Sequence, residues 1–204
     1  QQTIYNNVTH NMKKPMTYIL IAIILIIGIA LFMRSANKGK TEIAEQNSTE
    51  KQTEQNHFED MRKMAFSVTS EQLGLNSIEK DKVYGIVSEM DMEGAVVTVV
   101  TFLTGDASIY FSSGAIIIGA GQHENVKKVV AKYVENGQKY LDKAIKTEKT
   151  DMPKSGMTSF NFLTENGVYS ISQSLSELES RTSEFSDLFA ELNKVITEVR
   201  LKSE

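Results

Sequence analysis

The residues best equipped for chemistry lie in one stretch, "FSSGAIIIGAGQHENVKK", from Phe111 to Lys128. Ser112 and Ser113 offer hydroxyl nucleophiles, and His123 beside Glu124 offers an acid–base pair. Nucleophilic catalysis needs the base within hydrogen-bond reach of the hydroxyl, and a third group to orient the base. Gly119 and Gly121 precede an expected helix start, where free backbone N–H groups can hold an anion. The candidate ligand-binding residues are therefore Ser112, Ser113, Gly119, Gly121 and His123, and no catalytic residue is assigned. Stricter phosphate motifs fail. A dinucleotide fingerprint needs a third glycine where Glu124 stands, and a parallel βαβ unit around it. A P-loop needs Gly-Lys-Ser/Thr, which is absent. Glu124 also places a negative charge where an anion would sit. A tight strand-to-helix turn is the favoured reading, and a ligand cradle the alternative.

Other chemistry is thinner. Glu89, Asp91 and Glu93 could hold a cation, against the simpler reading of a solvated hairpin end. The chain has no cysteine and three histidines, so thiolate ligation and disulfides are excluded and a dedicated zinc site is not expected. No metal and no cofactor are expected. A net charge of −4 with scattered Lys and Arg gives no basic stripe for nucleic acid.

The elements that must position these residues occupy 58–204. Phe58, Met61 and Ala65 suggest a short amphipathic helix, and Thr69-Ser70-Glu71-Gln72 matches a capping box. "VYGIVSEM" (Val83–Met90), "AVVTVVTFL" (Ala95–Leu103) and "ASIYFSSGAIII" (Ala107–Ile118) are rich in β-branched and aromatic residues, so they read as consecutive antiparallel strands. Ser112-Ser113-Gly114 is expected to be a bulge in the third. Val126, Val129, Val130, Tyr133, Val134, Tyr140, Leu141, Ala144 and Ile145 recur at helical spacing. "FNFLT" and "VYSIS" flank Asn166-Gly167, a preferred type I′ hairpin turn. A last helix is expected from about Leu175 to Arg200. Its heptad of Leu178, Phe185, Leu192 and Val199 could be a coiled-coil seam, but Leu188 and Val195 widen the stripe towards core packing. The expected fold is α+β: a five-stranded antiparallel sheet, ordered as three strands, helix, hairpin, helix, with the helices on one face.

Ahead of this domain, "MTYILIAIILIIGIALFM" (Met16–Met33) carries no charge and is long enough to cross a bilayer. No small-residue cleavage site or lipoprotein cysteine follows, so a retained single-pass transmembrane helix is expected over 16–33. Residues 1–15 read as a tail, with Met12 in "MKKP" resembling the start of a membrane-targeted bacterial protein. Residues 34–57 are polar and read as a disordered tether. Lys13 and Lys14 favour an inside N-terminus and an extracytoplasmic domain, although Arg34, Lys38 and Lys40 sit on the other flank.

Several stretches, "VYGIVSEMDMEG", "GDASIYFSSGAIIIGAGQHENV", "FNFLTENGV" and "ELNKVITEVR", together resemble an uncharacterised bacterial α+β domain family over roughly Ala65 to Leu201. Ala115, Ile116 and Ala120 depart from its more glycine-rich turn. The resemblance implies a folded module built around that turn, with no activity, cofactor or catalytic residue to transfer. The expected function is a membrane-tethered, non-catalytic binding or assembly domain of a bacterial envelope, with a protein partner of unknown identity. The alternatives are a small hydrolase or anion- or nucleotide-binding domain using the Gly119–His123 turn, and an oligomerisation module working through the last helix.

Overall fold

In the computed structural model, residues 46–202 are described apart from Glu93, with side chains from His57 onward except that of Ala120. The apolar run Met16–Met33 lies outside the described residues. Among the described residues no helix is long and apolar enough to cross a membrane.

Helix α1 (Gln46–Ser67) leads the described chain. Strands β1 (Gly85–Asp91), β2 (Val96–Phe102), β3 (Ala107–Phe111) and β4 (Ile116–Ile117) follow, then α2 (Glu124–Gly137). Next come β5 (Ile145–Thr147), β6 (Met157–Thr164), β7 (Gly167–Ser174), α3 (Leu175–Glu179) and α4 (Ser186–Arg200). The strands form one antiparallel sheet in the order β4-β3-β2-β1-β6-β7-β5. The α+β class holds, but seven strands replace the expected five.

Both extra strands have local causes. Ser112-Ser113-Gly114 is a turn, not a bulge. Gly114 takes φ +96°, and the Phe111 N–H donates to the Ala115 carbonyl at 2.9 Å, folding the chain back as β4. Gly can adopt that left-handed backbone at no steric cost. The second change follows Gly137. There α2 ends, a 3₁₀ turn spans Gln138–Lys143, and Ile145 leaves the apolar periodicity to pair with Ser170 in β5. The last helix is also divided. Arg181 takes φ +60°, and Ser180 and Thr182 turn their hydroxyls onto the Glu177 carbonyl. Such local side-chain bonds compete with helix. In the β6–β7 hairpin the loop falls on Glu165-Asn166, with the positive φ on Gly167 alone. This fits a type I turn followed by a glycine bulge rather than type I′.

The helices occupy both faces of the sheet, not one. Alternation along β1 places Ile86, Ser88 and Met90 on one face and Val87 and Glu89 on the other. α2 and α4 cover the first face. The Ser88 Oγ and Tyr133 Oη are 2.8 Å apart, and a Cβ on Gly137 would stand 2.4 Å from Ile86 Cδ1, so this glycine sets how closely α2 approaches the sheet. Phe185 stacks near Phe160, with ring centroids 6.4 Å apart. Leu188, Phe189, Leu192, Val195, Ile196 and Val199 of α4 are buried, so the heptad stripe is core. On the opposite face Phe58 and Ala65 of α1 pack with Tyr84, Val87, Val100, Phe102, Tyr110 and Leu163. Covering on both faces explains why the central strands β1, β2 and β6 are buried almost end to end. Helix α1 also takes up residues 46–57 of the segment read as a tether; its Gln, Glu and Lys are good helix formers even without an apolar stripe.

Candidate functional site

The sequence-predicted residues separate into two places. Ser112 and Ser113 sit in the β3–β4 turn. There Ser112 accepts a 2.8 Å hydrogen bond from the Val96 N–H, and its own N–H donates to the Val96 carbonyl at 2.9 Å. That hydroxyl ties the turn to the start of β2. Gly121 instead lies against the β2–β3 turn at the other end of β3. A Cβ there would stand 2.7 Å from Asp106 Oδ1 and 2.9 Å from the Gly105 carbonyl. A strand rises about 3.3 Å per residue, so Asp106 and Ser112 are roughly 20 Å apart. His123, which follows Gly121, is thus removed from both serines, and the nucleophile–base pairing does not form.

The glycine turn has a complete structural explanation. Gly119 takes φ +78°, with open space where a Cβ would point. Gly121 provides the close approach to Gly105 and Asp106. Gly105, at φ +90°, in turn lies under Lys127 of α2. His123 is exposed and is the N-cap of α2, making no side-chain cap bond. Glu124 occupies the first turn and pairs with Lys128 at 3.4 Å. Glu124 therefore meets the positive end of the helix dipole, where an anion would have to bind, and Asp106 adds a second carboxylate beside Gly121.

Of the three acidic residues, Glu93 lies outside the described residues, and Glu89 and Asp91 are engaged separately. Glu89 is fully buried and bidentate with Arg62 of α1, at 2.6 Å to Nε and 2.7 Å to Nη2. It also accepts the Thr98 hydroxyl at 3.0 Å. Arg62 Nη2 donates on to the Thr150 carbonyl, and the guanidinium lies 5.0 Å from the Phe66 ring centroid. Asp91 accepts the Gly156 N–H at 2.9 Å and so fastens the loop before β6. Among the described residues no cluster of His, Cys, Asp or Glu could hold a metal ion. The sequence did carry a sign of the buried pair: a carboxylate amid the β-branched residues of a central strand demands a partner. It could not say that the partner was Arg62.

The feature missed by sequence reasoning lies at the β4 edge of the sheet. His57, Phe58 and Met61 of α1 and Tyr110, Phe111, Gly114 and Ile116 of the β3–β4 hairpin line an apolar pocket of about 170 Å³. Ile116, which lines it, is 43 % exposed, and Ile118, two residues on, is 65 % exposed; Met64 of α1 is also exposed. Apolar cavities of about 150 Å³ accept a benzene ring, so the pocket suits one large apolar side chain. The visible signal was the run Ala107 to Gln122, which contains no charged residue.

No family model matches the chain, and neither a curated protein nor a solved structure is found to be similar to it.

Proposed function

We propose that this chain is a membrane-tethered, non-catalytic binding module whose contact surface is the pocket between α1 and the β3–β4 hairpin. Membrane attachment is inferred from Met16–Met33, whose uncharged length suits a bilayer core. The binding role rests on one observation above the others: an apolar pocket at a sheet edge, lined by the exposed Ile116 with the exposed Ile118 two residues on. Clustered exposed apolar side chains are a usual mark of interaction sites. The separation of His123 from Ser112 and Ser113 counts against the hydrolase alternative, and Asp106 and Glu124 count against an anion at the turn. Burial of the α4 stripe leaves it no seam for oligomerisation.

Site-specific photo-crosslinking in native membranes tests this reading. A benzophenone side chain replacing Ile118 in the full chain should give a discrete adduct, and one replacing Met152, exposed in the loop before β6, should not. Equal labelling from both positions would contradict a dedicated surface.

A further inference from the structure

We infer that the outer edge of β4 is a strand-addition site, which takes an extended, uncharged peptide as an eighth strand and seats one of its apolar side chains in the neighbouring pocket. The inference deepens the binding reading above and rests on it.

The backbone carries the first part of the case. The register pairs Tyr110 with Ile116 and Ile109 with Ile117, and the Phe111 N–H donates to the Ala115 carbonyl. In an antiparallel ladder, hydrogen-bonded and non-hydrogen-bonded pairs alternate. Ala115 and Ile117 therefore face β3 with their polar groups, while the N–H and C=O of Ile116, and the N–H of Ile118 opposite the Ile117 carbonyl, point away from the sheet. Among the described residues no strand pairs with that side. Two outward N–H groups about 7 Å apart, with the Ile116 carbonyl between them, are what an added antiparallel strand engages. A lipid tail could fill the pocket but has no groups to pair with these amides.

The side chains carry the second part. Ile116 shares the sheet face of its partner Tyr110 and lines the pocket, and Ile118 is exposed just past the end of the strand. A peptide strand paired along β4 would point alternate side chains to that face and bring one of them over the pocket formed with Phe58, Met61 and Tyr110.

The third part is the contrast between the two sheet edges. Natural proteins guard exposed edges with charge, Lys above all. β5, the other edge, is guarded in this way: Lys146 lies within it, with Lys143, Glu148 and Lys149 around it. β4 has no such guard, because Ala107–Gln122 is uncharged. An open edge beside an apolar pocket fits a recognition surface: main-chain bonds supply affinity, and the pocket selects the side chain.

The probe is a displayed library of peptides of about eight residues with alternating apolar and polar positions, selected against the full chain in lipid nanodiscs. Peptides with Leu or Phe at one fixed position should be enriched. Ile116→Lys and Ile118→Lys, at exposed positions, should each weaken them by about tenfold or more without lowering the melting temperature. N-methylation of the peptide at alternate residues should abolish binding in one register and spare it in the other, because only every second amide faces the sheet. Equal tolerance of N-methylation in both registers would overturn strand addition. So would a concentration-dependent dimer, lost in the Lys variants, from a chain that enriches no peptide. A crosslinked partner held equally by wild type and by the Lys variants would leave the binding role standing and overturn this inference alone.

Discussion

Arg62 and Glu89 join three parts of the molecule through one buried contact: helix α1, the central strand β1 and, through the Thr150 carbonyl, the loop before β6. Removing one member of such a pair leaves an unpaired charge in the interior, whereas replacing both with apolar groups is far less costly. Arg62→Met should therefore cost about 3–5 kcal/mol, and Arg62→Met with Glu89→Leu should recover most of that, as read from urea unfolding. Tyr133 gives a pH signature. Burial holds its phenol well above the usual 10.0, opposed in part by the hydrogen bond with Ser88. The folded state keeps this proton where the unfolded chain releases it. The stability it contributes is thus fully present below pH 10 and is lost as pH climbs from there towards the folded pKa. Tyr133→Phe should cost about 1 kcal/mol at neutral pH through the lost Ser88 contact, and should flatten the decline in stability above pH 10 by one proton's slope.

At the scale of elements, the two glycines of the turn are expected to fail differently. Gly121→Val would drive side-chain atoms into the Gly105–Asp106 backbone and should cost about 1–3 kcal/mol or more. Gly119→Ala meets no neighbour and incurs only the strain of a positive φ, about 1 kcal/mol. Phe185→Ala or Phe189→Ala in the last helical region should cost about 3–5 kcal/mol, since both rings are buried. Thermal or urea melts of purified variants check all of these. The pattern of the sequence made much of this legible. β1 and β2 follow their β-branched runs, and Thr69 and Gln72 form the reciprocal capping box, with the Thr69 N–H donating to Gln72 Oε1 at 2.9 Å. What stayed hidden depended on tertiary choice. Ser-Ser-Gly suits a bulge and a turn equally well until a return strand pairs, and Ile145 keeps a helical period that the chain abandons after Gly137. The pocket joins residues from α1 and from a hairpin more than 40 positions later in the chain, so no local pattern could announce it.

The whole domain is a sheet sandwiched between α1 on one side and α2 with α4 on the other. α1 is therefore structural as well as a link to the N-terminal region. Without it, Val87, Val100, Phe102 and Leu163 would face water and Glu89 would lose its partner. A chain beginning at Val68 should lose its cooperative melt, whereas one beginning at Asn47 should keep it. His123→Ala, at an exposed position, should change stability by no more than about 0.5 kcal/mol. The framework is thus separable from the β4 edge that it presents. Residue-resolved hydrogen exchange on the full chain in nanodiscs, with and without a selected strand peptide, tests whether that edge binds. The amides of Ile116 and Ile118 should exchange rapidly in the free chain and become protected on binding, while the Gly119–His123 turn and the β5 edge stay unchanged. Protection that appears instead at the turn, with Ile116 and Ile118 still exchanging freely, would rule out binding at the β4 edge.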